Sequence, residues 1–154
     1  MGICNAMTVD VEDYFHVSAL AGVIEKGDWD KLSTRFEDNT QRLLDVFEAA
    51  DVSATFFVLG WVARRAPRLV EQIHKLGHEV ACHGLSHSLI YKQTPAQFTA
   101  ETMRAKQLLE DLIGARVSGY RAASYSITSR SRWALDVIAS AGFDYDSSIA
   151  PVRH

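Results

Sequence analysis

Short apolar runs alternate with longer stretches of helical periodicity along most of this chain, and that alternation constrains the fold more than any other feature. The apolar runs are Ala6 to Val11, Ser53 to Leu59, His78 to Cys82, Arg116 to Tyr120 and Phe143 to Ser147, and each has the length of a strand. A loop rich in Gly, Asp and Trp follows the first run. After it, Asn39-Thr40 predicts a helix cap ahead of Leu43, Leu44, Val46 and Phe47. Pro67 suits the first turn of a second helix carrying Leu69, Val70, Ile73 and Leu76, which Gly77 stops. Thr94-Pro95 opens a third, with Phe98, Met103, Leu108, Leu109 and Leu112 on one side and Gly114 at its end. Ser129 or Ser131 begins the last helix, closed by Gly142. Strands separated by helices of this size pair in parallel through crossovers, so the fold class is α/β, as a sheet or a barrel.

At 154 residues, 47% hydrophobic and 23% charged, the chain has enough apolar side chains for one core, and a single domain over residues 1–154 is expected. A formal net charge of -3 provides no broad positive field, and Arg64-Arg65-Ala66-Pro67-Arg68 is only a local cluster, which argues against nucleic acid as a partner. The first residues lack the charged start and apolar segment of a signal peptide. No run approaches the roughly eighteen apolar residues of a membrane span, so the expectation is a cytoplasmic protein without a transmembrane segment. Cys4 and Cys82, each in or beside an apolar run, read as reduced core residues.

Parallel α/β folds place their chemistry at the carboxyl ends of strands. Asp10 to Asp13, His83 to His87, Arg121 to Tyr125 and Asp146 to Ser148 all fall there. Carboxylate oxygens and two imidazoles suit zinc or a similar divalent cation, with an acid left over for proton transfer. That is the outline of a metal-assisted hydrolase. The pair His83 and His87 can share a helix face, or converge from a loop in which Gly84 and Ser86 permit a tight path. His74 and His78 have the same spacing but straddle Gly77 and read as structural. Arg121 can hold a neighbouring aspartate ionised and oriented. Phe56, Phe57, Val58 and Trp61 read as core, with the tryptophan able to reach a rim, and Tyr14, Phe15 and His16 fit either a lid or a binding surface.

With those residues laid out, the chain resembles the polysaccharide deacetylase family, also called the NodB-homology group or carbohydrate esterase family 4. Thr8-Val9-Asp10-Val11-Glu12-Asp13 is similar to its first motif and His83-Gly84-Leu85-Ser86-His87 to its second. Arg121-Ala122-Ala123-Ser124-Tyr125 is similar to its third, and Asp146-Ser147-Ser148 to its fourth. The wording is most similar to the branch associated with exopolysaccharide loci and to peptidoglycan-deacetylase-like members. The resemblance implies a distorted, incomplete (β/α) barrel that hydrolyses N-acetyl groups of an N-acetylated polysaccharide to amine and acetate. It implies Asp10 as general base, oriented by Arg121. His83 and His87 with one carboxylate would hold a divalent metal such as zinc. Tyr125 would lie near the oxyanion, with Ser147 beside the substrate. Where the family has two adjacent aspartates, Val11 intervenes here, so the third ligand is either Glu12, on the strand face of Asp10, or Asp13 at the turn. The family's last motif, which carries its general-acid histidine, has no match before His154, so the expectation is that the C-terminal part of the domain is missing. Two rival readings are an amidohydrolase acting on small non-sugar amides and a carbohydrate-binding module without turnover.

Overall fold

A computed structural model describes residues 5–149, so Cys4 and His154 lie outside the described residues. Five strands, β1 (Thr8–Val11), β2 (Thr55–Val58), β3 (Glu79–Cys82), β4 (Gly119–Tyr120) and β5 (Tyr145–Asp146), form one sheet in the order β1-β2-β3-β4-β5. Every pairing is parallel. Strand order that follows chain order in an all-parallel sheet is the arrangement of one arc of a (β/α) barrel. The expected α/β class is therefore what the chain adopts. The strands are shorter than the apolar runs, because several run residues, such as Leu59 and Val117, are buried outside the ladder.

Residue parity divides the two sheet faces. Val11, Phe56, Val58, Val80, Cys82 and Tyr120 join the main apolar core under the helices. Asp10, Phe57 and Ala81, paired across neighbouring strands, point to the other face. Cys82 is fully buried, and burial pushes its thiol up to about 12, so it remains a protonated core residue. Its alternation places His83 on the Asp10 side.

The helices are α1 (Phe36–Ala49), α2 (Gly60–Arg65), α3 (Pro67–Lys75), α4 (Pro95–Ile113) and α5 (Trp133–Ser140). Pro67 opens α3, the Thr94 and Gln97 side chains form a reciprocal cap at the start of α4, and Gly114 ends α4 at φ +65°. These termini are the ones the sequence predicts. The start of α1 is not. It begins three residues before Asn39, because the Asp13 carboxylate, far away in sequence, accepts the N–H groups of Arg35 at 2.5 Å and Phe36 at 3.1 Å. Helix α2 is likewise not marked by any local signal in the sequence. Its first donors, Gly60 N and Trp61 N, bond to the Gly84 and Leu85 carbonyls at 2.8 and 2.9 Å, so the loop after β3 caps it. Among the described residues no helix is long and apolar enough to cross a membrane.

Gly60 allows that docking. A Cβ there would stand 2.7 Å from the Leu85 Cδ1 and 3.1 Å from its Cα, and the second contact is backbone. Gly60→Ala should therefore cost about 1–3 kcal/mol, as overpacking does, seen as a lower urea midpoint at unchanged slope. Leu85→Ala in that background should recover only part of it.

His78 sits at the foot of β3, buried against Phe47 and Phe56, and its Nδ1 accepts the Ala54 N–H at 3.2 Å. Burial lowers its pKa below the usual 6.5. The unfolded chain then takes up this proton first, so the stability His78 contributes is present above 6.5 and is lost as the pH falls below it. His78→Asn retains an acceptor for Ala54 and should flatten the decline in unfolding midpoint between about pH 7 and 5.

Candidate active site

The carboxyl ends of β1, β3, β4 and β5 bring together the residues that the four strand-end segments contribute. Glu12, His83 and His87 each offer a ligand atom within 4.8 Å of the other two. The His87 Nε2 lies 2.8 Å from the Glu12 Oε2, and the two imidazole rings stand 5.4 Å apart. The stretch from His83 to His87 is not helical. It turns through Gly84 at φ +79° and His87 itself at φ +50°, so the tight path uses His87 where the sequence suggested Ser86. His83 is anchored by its Nδ1, which meets the Arg121 carbonyl at 2.8 Å and therefore carries the proton, leaving Nε2 as a lone-pair donor for the cluster.

The two carboxylates left open by the sequence have separate fates. Asp13 is buried, its Oδ1 accepts Tyr14 N–H at 2.8 Å and its Oδ2 accepts Arg35 and Phe36 N–H. It is the cap of the 3-10 turn Tyr14–His16 and of α1, and it does not fit as the third member of the imidazole cluster. Glu12 does fit. Burial pushes its pKa up, but the His87 hydrogen bond and the charges of His87, His83 and His16 pull it further down, so its net shift is downward. His83 is shifted down too, mainly by burial, and the Asp10 carboxylate is the largest charge opposing that shift.

Asp10 stands apart from the cluster and is held by Arg121, whose Nη1 reaches Asp10 Oδ1 at 2.7 Å. Arg121 is almost fully buried, lies 4.0 Å above the Phe57 ring centre, and donates through Nη2 to Ser147 Oγ at 2.8 Å. Both terminal nitrogens also reach Thr8 Oγ1, at 3.3 and 3.2 Å. Thr8 was missed as a site residue, although it shares the strand face of Asp10 two residues away. Asp146 accepts from Ser148 N and Oγ, and Ser148 Oγ in turn accepts the Ala122 N–H at 2.8 Å. That segment braces the Arg121 loop. Tyr125 is 47% exposed with its ring 5.9 Å from the Arg121 guanidinium, and its N–H donates to the Ala122 carbonyl at 3.2 Å.

Phe15 and His16 are buried with Trp29, Phe36 and Trp61 in an aromatic cluster beside His87. Trp61 is thus a core residue. A cleft of about 540 Å³ opens next to them, lined by His16, Trp29, Lys26, His87, Gln93 and Glu101 among others.

A half-buried carboxylate and two buried imidazoles, with ligand atoms all within 4.8 Å of one another, are a donor set suited to a zinc-like cation. The residues fit such an ion.

Comparison with known proteins agrees with this architecture. The model of the family described as polysaccharide deacetylase matches residues 27–145, and the chain belongs to that family. The match contains His83, His87 and Arg121 but begins after Asp10 and Glu12, whose places rest on β1. A chitooligosaccharide deacetylase of Bradyrhizobium sp. (strain ANU 289) is 31% identical over 100 residues, 65% of this chain and 43% of that protein. A peptidoglycan-N-acetylglucosamine deacetylase of Bacillus cereus is 31% identical over 75 residues, 49% of this chain and 27% of that protein. The chain therefore spans less than half the length of either relative. Among solved structures, a candidate polysaccharide deacetylase from Mycobacterium smegmatis superposes with a TM-score of 0.77 at 28% identity, covering 94% of this chain and 50% of that one. A family 4 carbohydrate esterase from Streptomyces lividans gives 0.67 at 21% identity, covering 92% and 59%, a likeness of fold.

The two carboxylates should separate by readout. Glu12→Gln should lower zinc affinity by about 10-fold or more with little loss of stability. Asp13→Asn should leave zinc uptake near that of the parent while costing about 0.5–2 kcal/mol, because it weakens a cap. Calorimetric metal titration and urea unfolding of both variants check the pair.

Proposed function

We propose that this protein hydrolyses N-acetyl groups of an N-acetylated polysaccharide, releasing acetate and leaving a free amine, with a divalent metal, zinc as the first choice, held by Glu12, His83 and His87. Cell-wall peptidoglycan or an exopolysaccharide is the substrate class in this reading. The observation that carries it is the pairing of an oriented, unligated aspartate with a neighbouring carboxylate and imidazole cluster at the carboxyl end of one parallel sheet. The family, and the deacetylase activities for which the Bradyrhizobium and Bacillus cereus relatives are named, support the same chemistry.

A bound divalent ion supplies Lewis-acid activation of the acetamide carbonyl and of water in such a site. The chain's own residues do the rest. Asp10 takes the proton of the attacking water, and its hydrogen bond from Arg121 keeps it aimed. Arg121 keeps its own position through Ser147, Thr8 and the Phe57 face, so the base does not have to be ordered at the moment of reaction. His83, fixed by the Arg121 carbonyl, ties the metal side to the same residue. The amide C–N bond breaks, its nitrogen takes up a proton, and acetate departs.

Asp10→Asn should bind zinc like the parent and lose turnover by about 10²-fold or more on N-acetylated chitooligosaccharides, measured as released acetate. Full activity in that variant would remove Asp10 from the role of base. His83→Ala and His87→Ala should both fail to retain zinc after dialysis. A preference for ring ureides over chitooligosaccharides would redirect the reading to small amides.

A further inference from the structure

His16 is a buried, chemically active side chain that the proposed chemistry leaves unused. Its Nδ1 accepts the backbone N–H of Asp13 at 2.8 Å, within the reciprocal cap that starts the 3-10 turn. An imidazole nitrogen that accepts a hydrogen bond carries no proton, so in the neutral ring the hydrogen resides on Nε2. That Nε2 is buried and has no hydrogen-bond partner among the described residues. A buried donor left unpaired is costly, and folded proteins keep one where something else supplies the acceptor.

The surroundings narrow what that acceptor is. Phe15, Trp29 and Trp61 pack against the ring at centroid distances of 4.6, 4.5 and 4.9 Å, all near edge-on, and none offers an oxygen. His87 lies 6.5 Å away, and the same cleft of about 540 Å³ is lined by both histidines. The cleft wall also carries Trp29, Lys26, Gln93, Gln97 and Glu101, a mixture of one aromatic face and several hydrogen-bonding groups of both signs. Such a lining suits a neutral, hydroxyl-rich ligand.

We propose that His16 is a substrate-binding residue whose Nε2–H donates to an oxygen acceptor, hydroxyl or carbonyl, of a sugar unit lying in this cleft next to the Glu12, His83 and His87 cluster. The inference rests on the polysaccharide reading above and assigns one contact within it. The ring stays neutral, with one nitrogen committed to the fold and the other to the ligand.

The two nitrogens can be tested one at a time. In His16→Asn the side-chain oxygen takes the place of Nδ1 and keeps the Asp13 bond, while nothing reaches the place of Nε2. In His16→Gln the amide N–H reaches the place of Nε2, while the acceptor for Asp13 is lost. His16→Asn should raise KM for N-acetylglucosamine oligomers about tenfold, equal to about 1.4 kcal/mol, with kcat and zinc content much less affected. His16→Gln should return KM most of the way to the parent value even though it unfolds at lower urea. An unchanged KM in His16→Asn overturns the inference. So does a loss of zinc affinity that parallels the change in KM, since His16 would then serve the metal cluster.

Calorimetric binding of the same oligomers to the metal-free chain separates this contact from the hydrolytic reading. A parent that binds oligomers about tenfold more tightly than His16→Asn, yet releases no acetate when loaded with zinc, keeps the His16 contact and sinks the deacetylase assignment. A parent that releases acetate with His16→Asn equal to it in both assays keeps the assignment and sinks the contact. No oligomer binding by the parent overturns the His16 contact outright.

Discussion

The buried Arg121 holds four neighbouring strands and both halves of the site in one arrangement. It reaches Asp10 and Thr8 on β1, lies on Phe57 of β2 and meets Ser147 just past β5, while its own backbone carbonyl fixes His83 at the end of β3. Taking a charge out of water is costly unless it is paired and hydrogen-bonded, and removing one partner of such a pair typically costs about 3–5 kcal/mol. Asp10 is therefore held as firmly by the fold's need to satisfy Arg121 as by any chemical role. The inner sheet face can carry this charge because Asp10, Thr8 and Ser147 meet both terminal nitrogens of Arg121.

A second constraint connects the loops. The segment after β3 caps α2 with the Gly84 and Leu85 carbonyls, and the segment after β1 caps α1 with the Asp13 side chain. Helix starts leave donors unpaired, and in this chain the strand-end loops that bear the candidate ligands provide the acceptors. Moving either loop would expose helix donors as well as displace a site residue. Positive φ at His87, Ser124 and Tyr125 adds conformations that ordinary residues adopt only when their surroundings impose them.

Family membership and architecture place this chain among the polysaccharide deacetylases, and the division of work between neighbouring residues gives the site its logic. Asp10 and Glu12 share a strand face and a short stretch of backbone, yet one is tied to a guanidinium and the other to an imidazole. The fold thus gives two carboxylates of the same intrinsic chemistry different partners, which is the basis of the separate roles proposed for them. Asp13, next in sequence, belongs to the scaffold.

The order of elements, the parallel pairing and the location of the reactive segments at strand ends were legible in the sequence, because hydrophobic periodicity and local caps such as Thr94, Pro67 and Gly114 act over a few residues. Boundaries that depend on distant partners were not legible. Helix α1 starts early because Asp13 caps it, and α2 exists where a loop beyond β3 meets its first donors. The sequence likewise specified His83, His87, Asp10 and Arg121 as candidates but left the third ligand open between Glu12 and Asp13, and His16 open between a lid and a binding surface. Only the folded chain distinguishes them, because which oxygen is consumed by backbone N–H groups and which imidazole nitrogen is left bare is decided by hydrogen bonds between segments far apart in sequence.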